Sequence, residues 1–404
     1  MDVRVQAGRA QPRRGTPALL RRDERCVDFG VRRFRLSPGP QREILEMAAK
    51  TFLAGYNTAI RRSTGALAAQ LGDLGEQERG HALEGAGMAV TVLDLLTLGR
   101  GRRLRALLEG PGRGHPHLVL AGAGRGYASL RRRPARLGHS LPAGQITHPA
   151  LRWLAWDGYG FHRGFFRSDA TIGGQRLPRR LTAEQRALFD QGVGRSIWFH
   201  ECADPDGVAL RIAEFAPGRR GDLWSGTGLA ATYTGGADVA DLGRLAMLSG
   251  EYRADLAHGS ALACAARTHA GLVPAHTAAA AHALTGALAE EASGWVATAL
   301  GRLGSAAASA GGYRLWRQEV CDLWTGYRSP GEDQAGELSG GTQPGARAGA
   351  GLGAWDATAD FPAYVPAQPG APAGAREPVR VPGAPAPAAH RPVPGAAHRE
   401  DQQR

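Results

Sequence analysis

Apolar residues recur along this chain at steps of three and four, which is the period of an α-helix buried on one side. After two prolines, this spacing produces one stripe made of Ile44, Leu45, Ala48, Phe52 and Tyr56. Similar patterns predict helices over residues 82–98, 182–199, 207–215, 239–267, 277–303 and 313–324. Thr182, followed by Gln185, predicts a capping box at a helix start. Because the alternation typical of strands is scarce, we predict a mainly α-helical fold.

Both ends of the chain lack a periodic apolar face. Residues 1–36 are rich in arginine, and residues 328–404 consist largely of glycine, alanine and proline. A segment without an apolar face cannot offset the entropy lost on ordering. We therefore expect a disordered basic arm over 1–36, a helical body over 37–327 and a disordered tail over 328–404.

Glycine motifs recur inside the body. The pair Gly85 and Gly87 recurs as Gly192 and Gly194, and a second pair recurs with a similar offset, between 104 and 107 residues. A chain with 58 glycines produces such pairs by chance, but a third segment pair keeps the same order and spacing. We therefore predict an internal duplication of helical units, about 80–170 and 185–270. Close helix approach explains the glycines better than a nucleotide-binding loop, because the GxGxxG spacing is missing.

The basic charge of the chain is mostly arginine. There are 49 basic and 37 acidic residues, for a net charge of +12, and Lys50 is the single lysine. Such a composition is typical of a genome of high GC content and does not by itself require a polyanion. Residues 1–42 and 99–140 concentrate the positive charge. These two patches either meet phosphate, a membrane surface or an acidic carrier protein, or they are a mobile arm and a solvated face.

The four cysteines are far apart and lack the spacing of a zinc or redox site. The basic N-terminus has no apolar segment long enough for a signal peptide, and no uninterrupted apolar run reaches the length of a membrane span. The sequence thus predicts free thiols in a soluble, cytoplasmic protein with no transmembrane segment. It predicts no metal site and identifies no cofactor.

The densest group of candidate functional residues lies in segment 153–166, which holds six of the 26 aromatic residues. Asp157 and His162 are the catalytic candidates, because an aspartate beside a histidine can orient the imidazole for proton transfer. Aromatic faces can wall a flat apolar slot. On that ground the candidates for substrate binding are Trp156, Tyr159, Phe161 and Phe166. The same residues also fit a packed aromatic core, in which Asp157 caps backbone amides and His162 bonds a carbonyl.

Other polar residues give weaker signals. His258 and His269 lie eleven positions apart, about 16 Å along a continuous helix, which is too far to share one metal ion. Asp94 interrupts an apolar run. It is either a buried group with satisfied hydrogen bonds or a carboxylate of a pocket.

Four segments, 153–166, 192–199, 219–233 and 276–282, carry a family resemblance. They resemble the signature segments of an uncharacterised domain-of-unknown-function family, whose UnbL-like members accompany the iterative polyketide synthase in enediyne gene clusters. The likeness covers about residues 37–327. Since that family has no accepted catalytic residues, the resemblance implies a context and not a site.

What the resemblance implies is an actinobacterial accessory protein of enediyne antibiotic biosynthesis, a branch of polyketide secondary metabolism. Such a protein acts on or holds a linear polyene-derived intermediate during core formation. The implied partners are a hydrophobic polyketide-derived ligand and, beyond it, other cassette proteins or the synthase. One alternative is a non-catalytic scaffold or ligand chaperone. A nucleic-acid-binding self-protection protein is favoured only by the basic arm, and whether the protein is an enzyme stays open.

Overall fold

The computed structural model of the protein describes residues 20–61, 64–134, 137, 149–308 and 311–328. Within these residues the regular elements are helices and no strand is found, which confirms the predicted mainly α-helical fold. The α-helices are α1 (Phe29–Arg32), α2 (Pro40–Arg61), α3 (Thr64–Asp73), α4 (Arg79–Leu96), α5 (Arg102–Glu109), α6 (Pro116–Ser129), α7 (Leu154–Phe166), α8 (Ala183–His200), α9 (Pro205–Ala213), α10 (Pro217–Thr234), α11 (Val239–Leu248), α12 (Arg253–His269), α13 (Ala275–Thr285), α14 (Ala289–Leu303) and α15 (Gly312–Arg328).

Local signals place several helix ends where the sequence indicated them. The predicted capping box is present at α8, where the Gln185 amide and the Thr182 hydroxyl oxygen lie 3.2 Å apart. Two longer predicted helices are each divided, because glycines there adopt a left-handed backbone. Gly250 separates α11 from α12 at φ +50°, and Gly286 ends α13 at φ +80°.

Seven helices pack in a row through glycines. Helices α2, α4, α6, α7, α8, α10 and α12 each contact the next in this order. At every junction a glycine of each helix lies against a backbone carbonyl of the other, where a side chain would not fit. The paired glycines are Gly55 with Gly85, Gly87 with Gly122, Gly124 with Gly158, Gly160 with Gly192, Gly194 with Gly226, and Gly228 with Gly259.

The glycine that faces the preceding helix recurs every 33 to 37 residues along this row, from Gly85 to Gly259. The offset of 104 to 107 residues found in the sequence therefore spans three steps of a shorter spacing. Each of the two expected copies, 80–170 and 185–270, contains three helices of the row. Gly122 and Gly226 both lie in helices, and the duplication of the two units stays a prediction.

The row curves back on itself. The Tyr233 hydroxyl of α10 lies beside Gly80 at the start of α4, and Arg267 of α12 donates to the carbonyl of Gln77 at 2.9 Å. Helices α13, α14 and α15 pack against the outer end of the row, with Tyr313 and Trp316 buried there. The curvature leaves an interior into which side chains of α4, α7 and α8 project together.

Order begins earlier than expected, because residues 20–36 pack on the body. Phe29 is fully buried, and the Phe34 ring meets that of Phe165 edge-on at 4.9 Å between centroids. The backbone of Arg22 forms two hydrogen bonds with the side chain of Asn57. The expectation of a disordered arm is therefore wrong for residues 20–36, where isolated aromatic residues without periodicity supply the apolar contacts. Residues 1–19, and 329–404 of the expected tail, lie outside the described residues.

Among the described residues, every helix is too short or too polar to cross a bilayer. All four cysteines are free. Asp94 is buried, and its carboxylate accepts the backbone amides of Arg103 at 3.0 Å and Leu104 at 3.1 Å at the start of α5. Of the two interpretations of Asp94, the satisfied buried group is the one that the structure shows.

Candidate functional site

All six residues proposed from the sequence lie on α7, in the middle of the row. Helices α6 and α8 flank α7, so side chains on most of its sides are buried. Asp157 is fully buried, and Trp156, Tyr159, Phe161 and His162 each expose 7% or less. Phe166 at the end of the helix is half-buried. A helix that is buried on most sides loses its amphipathic period, so its aromatic residues alone could not indicate which face lines a cavity.

The aromatic residues of α7 pack against one another and against α8. The Tyr159 ring lies 6.1 Å from that of Phe189, and the Phe161 ring meets that of Phe199 edge-on at 5.5 Å. Trp156 lies 5.9 Å from Tyr159. These separations are ordinary for aromatic pairs in a core. A role for Trp156, Tyr159, Phe161 and Phe166 in ligand binding therefore stays a prediction.

Asp157 and His162 have separate surroundings. The carboxylate of Asp157 accepts from Gln191 at 3.0 Å and from Arg195. The His162 ring lies 4.6 Å from that of Phe166, and its Nδ1 has no hydrogen-bond partner within the described ranges. Five positions along a helix turn the two side chains about 140° apart, and no hydrogen bond joins them. Burial, together with the charge of Arg125, holds the pKa of His162 well below its ordinary value, so the ring is neutral.

Asp157 belongs to a buried network of charges between α4, α6, α7 and α8. The Arg195 guanidinium lies between Asp157 and Glu84, with 3.4 Å from Nη2 to Glu84 Oε1. Arg125 Nη1 approaches the same Glu84 oxygen at 3.3 Å. All four side chains expose less than a tenth of their surface. Two carboxylates thus compensate two guanidinium groups, which is the condition under which buried charges are tolerated.

The network continues as directed hydrogen bonds into α10, α12 and α15. Because the Gln191 amide nitrogen donates to Asp157, its oxygen is an acceptor, and it receives Ser225 Oγ at 3.3 Å and the Tyr313 hydroxyl. Ser225 Oγ then accepts from His258 Nδ1 at 2.8 Å. This order places the imidazole proton on Nδ1 and leaves Nε2 as an acceptor. Nε2 has no hydrogen-bond partner among the described residues.

The protonation states follow from burial and from these partners. Burial raises the pKa of Asp157, while Arg195 and Gln191 oppose that rise. Although burial alone would lower the pKa of Arg195, the carboxylates of Asp157 and Glu84 raise it above the ordinary value. Burial lowers the pKa of Arg125 to about 10 and that of His258 to about 3. His258 is therefore a weak base at neutral pH, since so low a pKa leaves little driving force for proton transfer.

A cavity of about 60 Å³ opens beside this network, and we call it the apolar cavity. It lies between α6, α7, α8, α10, α12, α14 and α15. Most of its lining is aliphatic, as with Leu154, Leu229 and Ala263, and Asp157 and Arg195 reach it from the network. Trp316 also lines it, but the four aromatic candidates of α7 do not. The geometry therefore combines an apolar wall with a compensated ion pair.

Two further polar side chains of the apolar cavity have unpartnered atoms. The buried Tyr233 hydroxyl and His117 Nδ1 both lack a hydrogen-bond partner among the residues that the structure describes. Burial lowers the pKa of His117 to about 3, so it is neutral. Among the described residues, no cluster of three His, Cys, Asp or Glu side chains could hold a metal ion.

Sequence reasoning missed the partners of Asp157. The available signal was the residue before each glycine that faces the preceding helix, which is polar at five of those six positions. These positions are Glu84, Asp157, Gln191, Ser225 and His258. The glycine brings the next helix close, so the residue before it points to the interior of the curve and meets its counterparts.

Comparisons with curated proteins and with solved structures find no match. A family model described as a protein of unknown function, DUF1702, matches residues 13–323. The match includes every helix of the row and the whole polar network. This chain therefore belongs to the DUF1702 family, which confirms the uncharacterised domain-of-unknown-function family that its signature segments predicted.

Proposed function

We propose that this protein holds a linear, conjugated, hydrophobic ligand in the apolar cavity during assembly of an enediyne core. The observation that carries the proposal is a cavity whose mostly aliphatic lining also includes a buried, compensated ion pair. Aliphatic walls favour a hydrocarbon chain, and a few polar groups fix its orientation. The enediyne context comes from the resemblance of the signature segments.

The hydrogen bonding of the polar groups supports a ligand-holding role better than a catalytic one. The Asp157 carboxylate is engaged by Arg195 and Gln191, so it is not an available base. Ser225 is buried and shares its hydroxyl with Gln191 and His258. A network whose hydrogen bonds are satisfied stabilises one arrangement of the helices, whereas a nucleophile or base needs access to its substrate.

The apolar cavity must widen when a ligand enters. A cavity of roughly 150 Å³ accommodates a benzene-sized molecule, whereas this one measures about 60 Å³. Half-buried side chains such as Leu300 and Ala265 form part of the wall, and they can move more easily than the core of the row. Ligand entry should therefore displace α14 or α15 and change the surroundings of Trp316.

The methyl ester of trans-parinaric acid, an uncharged linear tetraene whose fluorescence rises in apolar surroundings, tests this binding. We expect saturable binding of one equivalent to the full chain. Ala265→Phe places a ring in the cavity from a half-buried position, and it should weaken binding at least tenfold. The matched control is Ala209→Phe on α9, which is equally half-buried but does not line the cavity.

Equal affinity of both variants for the ester, or no binding to the unmodified protein, would contradict the proposal. The absorption of the conjugated tetraene, followed over time at a protein to ligand ratio of one to a hundred, separates holding from catalysis. A stable spectrum with bound ester supports a holding protein, and progressive loss of the chromophore supports the enzyme alternative.

The biosynthetic context is tested in the producing organism. Deletion of the gene should stop enediyne formation and cause a linear polyene or its derivative to accumulate. Normal enediyne production without this protein would refute the context while leaving the binding measurement unaffected.

A further inference from the structure

A second cavity, of about 120 Å³, lies at the end of α12, and we call it the polar cavity. Its lining includes Arg267, Arg79, His115 and Glu76, followed by the chain from Ala270 to Leu272. It adjoins the apolar cavity through Tyr233, since the Arg267 guanidinium lies 3.9 Å from the centre of the Tyr233 ring. Positive groups thus outnumber the single carboxylate of the lining.

Arg267 is a buried cation that has no carboxylate partner among the described residues. It exposes 2% of its surface, and within this part of the chain its guanidinium donates to the carbonyls of Gln77 and Tyr233. Among the described residues, no Asp or Glu forms an ion pair with it, whereas the equally buried Arg125 and Arg195 have Glu84 and Asp157. A buried charge is costly unless an opposite charge accompanies it.

Two buried nitrogen atoms of residues that line the polar cavity have no hydrogen-bond partner in the described part of the chain. They are Nε of Arg267 and Nδ1 of His115. The Nε–H of arginine is always a donor, and a neutral histidine can present an N–H as well. An unsatisfied buried donor is rare in native proteins, so the Nε–H of Arg267, in the same cavity as an unpartnered His115 nitrogen, indicates that a ligand completes the site.

The field of Arg267 extends to the neighbouring histidines. Burial is the largest cause that lowers the pKa of His81, His115 and His276, and the charge of Arg267 is the second. Together they lower the pKa of His115 and of His276 to about 4. The Glu76 carboxylate does not cancel this charge, because it is exposed and pairs with Arg79 at 3.5 Å. The cavity therefore presents net positive charge and free donors together.

We infer that the polar cavity beside Arg267 binds an oxyanion, either a carboxylate or a phosphate group. Charge-assisted hydrogen bonds from guanidinium groups are the strongest protein contacts to both groups. One source of the anion is the end of the linear ligand in the apolar cavity, which rests on the proposed function. The other source is free phosphate, which does not depend on it.

Ala270 allows a test that leaves Arg267 in place. Ala270 is half-buried, lines the polar cavity and lies three positions after Arg267, where side chains on a helix meet. Ala270→Glu supplies an internal carboxylate to Arg267, and Ala270→Gln is the neutral control of the same size. We expect calorimetry to show stoichiometric phosphate or acetate binding to the unmodified chain at low salt.

The A270E variant should bind the anion at least tenfold more weakly than the unmodified chain, and the affinity of A270Q should stay within about threefold. Retained folding of both variants is checked by circular dichroism. Absence of anion binding to the unmodified protein, or equal loss in A270E and A270Q, would overturn the inference. Glu76→Gln removes the carboxylate of the lining and should strengthen phosphate binding, and weaker binding would contradict the electrostatic argument.

Parinaric acid and its methyl ester distinguish the sources of the anion. If the acid binds at least tenfold more tightly than the ester, and A270E abolishes this difference, the chain ligand is the source of the anion. If acid and ester bind equally and A270E loses phosphate binding, free phosphate is the source of the anion. Phosphate binding without binding of either tetraene refutes the proposed function alone. If the ester binds but phosphate and acetate do not, and the acid binds no more tightly than the ester, this inference alone is refuted.

Discussion

Replacing one glycine of the row by alanine tests how the helices are held together. In Gly158→Ala the new methyl group would overlap the Ala121 carbonyl oxygen sterically and lie 2.6 Å from its carbonyl carbon. Ordinary carbon contacts are about 3.5–4.0 Å, so α6 and α7 must separate by about 1 Å. The obstacle is backbone on a neighbouring helix, and it cannot rotate away as a flexible side chain would.

The magnitude follows from two opposing effects. Overpacking a well-filled interior costs about 1–3 kcal/mol, and we expect the upper end here because backbone meets backbone. Alanine recovers about 1 kcal/mol relative to glycine through its higher helix propensity. The net expectation is a loss of about 2 kcal/mol in the free energy of unfolding, measured by urea titration with tryptophan fluorescence.

Gly243 provides the matched control, because it lies in the exposed middle of α11 and no neighbouring atom lies within 4 Å of the position that an added methyl group would take. Gly243→Ala should therefore gain about 1 kcal/mol from propensity alone. The two variants differ by one methyl group each and should shift stability in opposite directions, about 3 kcal/mol apart. If their unfolding free energies agree within about 0.5 kcal/mol, glycine-mediated packing does not hold the row together.

Two further predictions concern the N-terminal segment and acid stability. A variant that begins at residue 20 should keep the stability of the full chain, whereas one that begins at residue 37 loses Phe29 and Phe34 and should be less stable by about 3 kcal/mol or more. Equal melting temperatures of the two would show that these residues contribute nothing. Stability should fall as pH drops below about 6.5, because His258, with a pKa of about 3 when folded, then takes up a proton only when unfolded. At pH 5 this lowers the free energy of unfolding by about 2 kcal/mol. His258→Gln should therefore reduce the dependence of the unfolding free energy on pH between pH 6.5 and 4. An unchanged dependence would contradict the buried, neutral ring.

The candidate site was only partly predictable from the sequence. Asp157 stood out because it interrupts an aromatic, glycine-rich segment, and the structure places it at the centre of the polar network. Its pairing with His162 was expected from sequence proximity, yet the helix turns the two side chains apart. Arg195, 38 positions away, is its actual partner, and no local pattern could select it among 48 arginines.

Local pattern was enough to determine the helical fold, the capping box at Thr182 and the presence of recurring glycines. The helices and the capping box depend on residues within about one or two turns of one another. The recurring glycines are found by comparing the sequence with itself. The body from residue 37 onward was also recognisable by its apolar stripes, although residues 20–36 were missed because a few buried aromatic residues form no period.

Tertiary structure alone decided which charges pair and where the cavities lie. Arg195 bonds Glu84 across 111 positions, and Arg267 reaches Gln77 across 190. Both contacts arise because the row of glycine-packed helices curves until α8 faces α4 and α12 approaches its beginning. That curvature depends on packing angles summed over six junctions, and no single segment encodes it. The same cause buries Arg267 where no carboxylate of the described residues pairs with it, a property that its position in the sequence does not reveal.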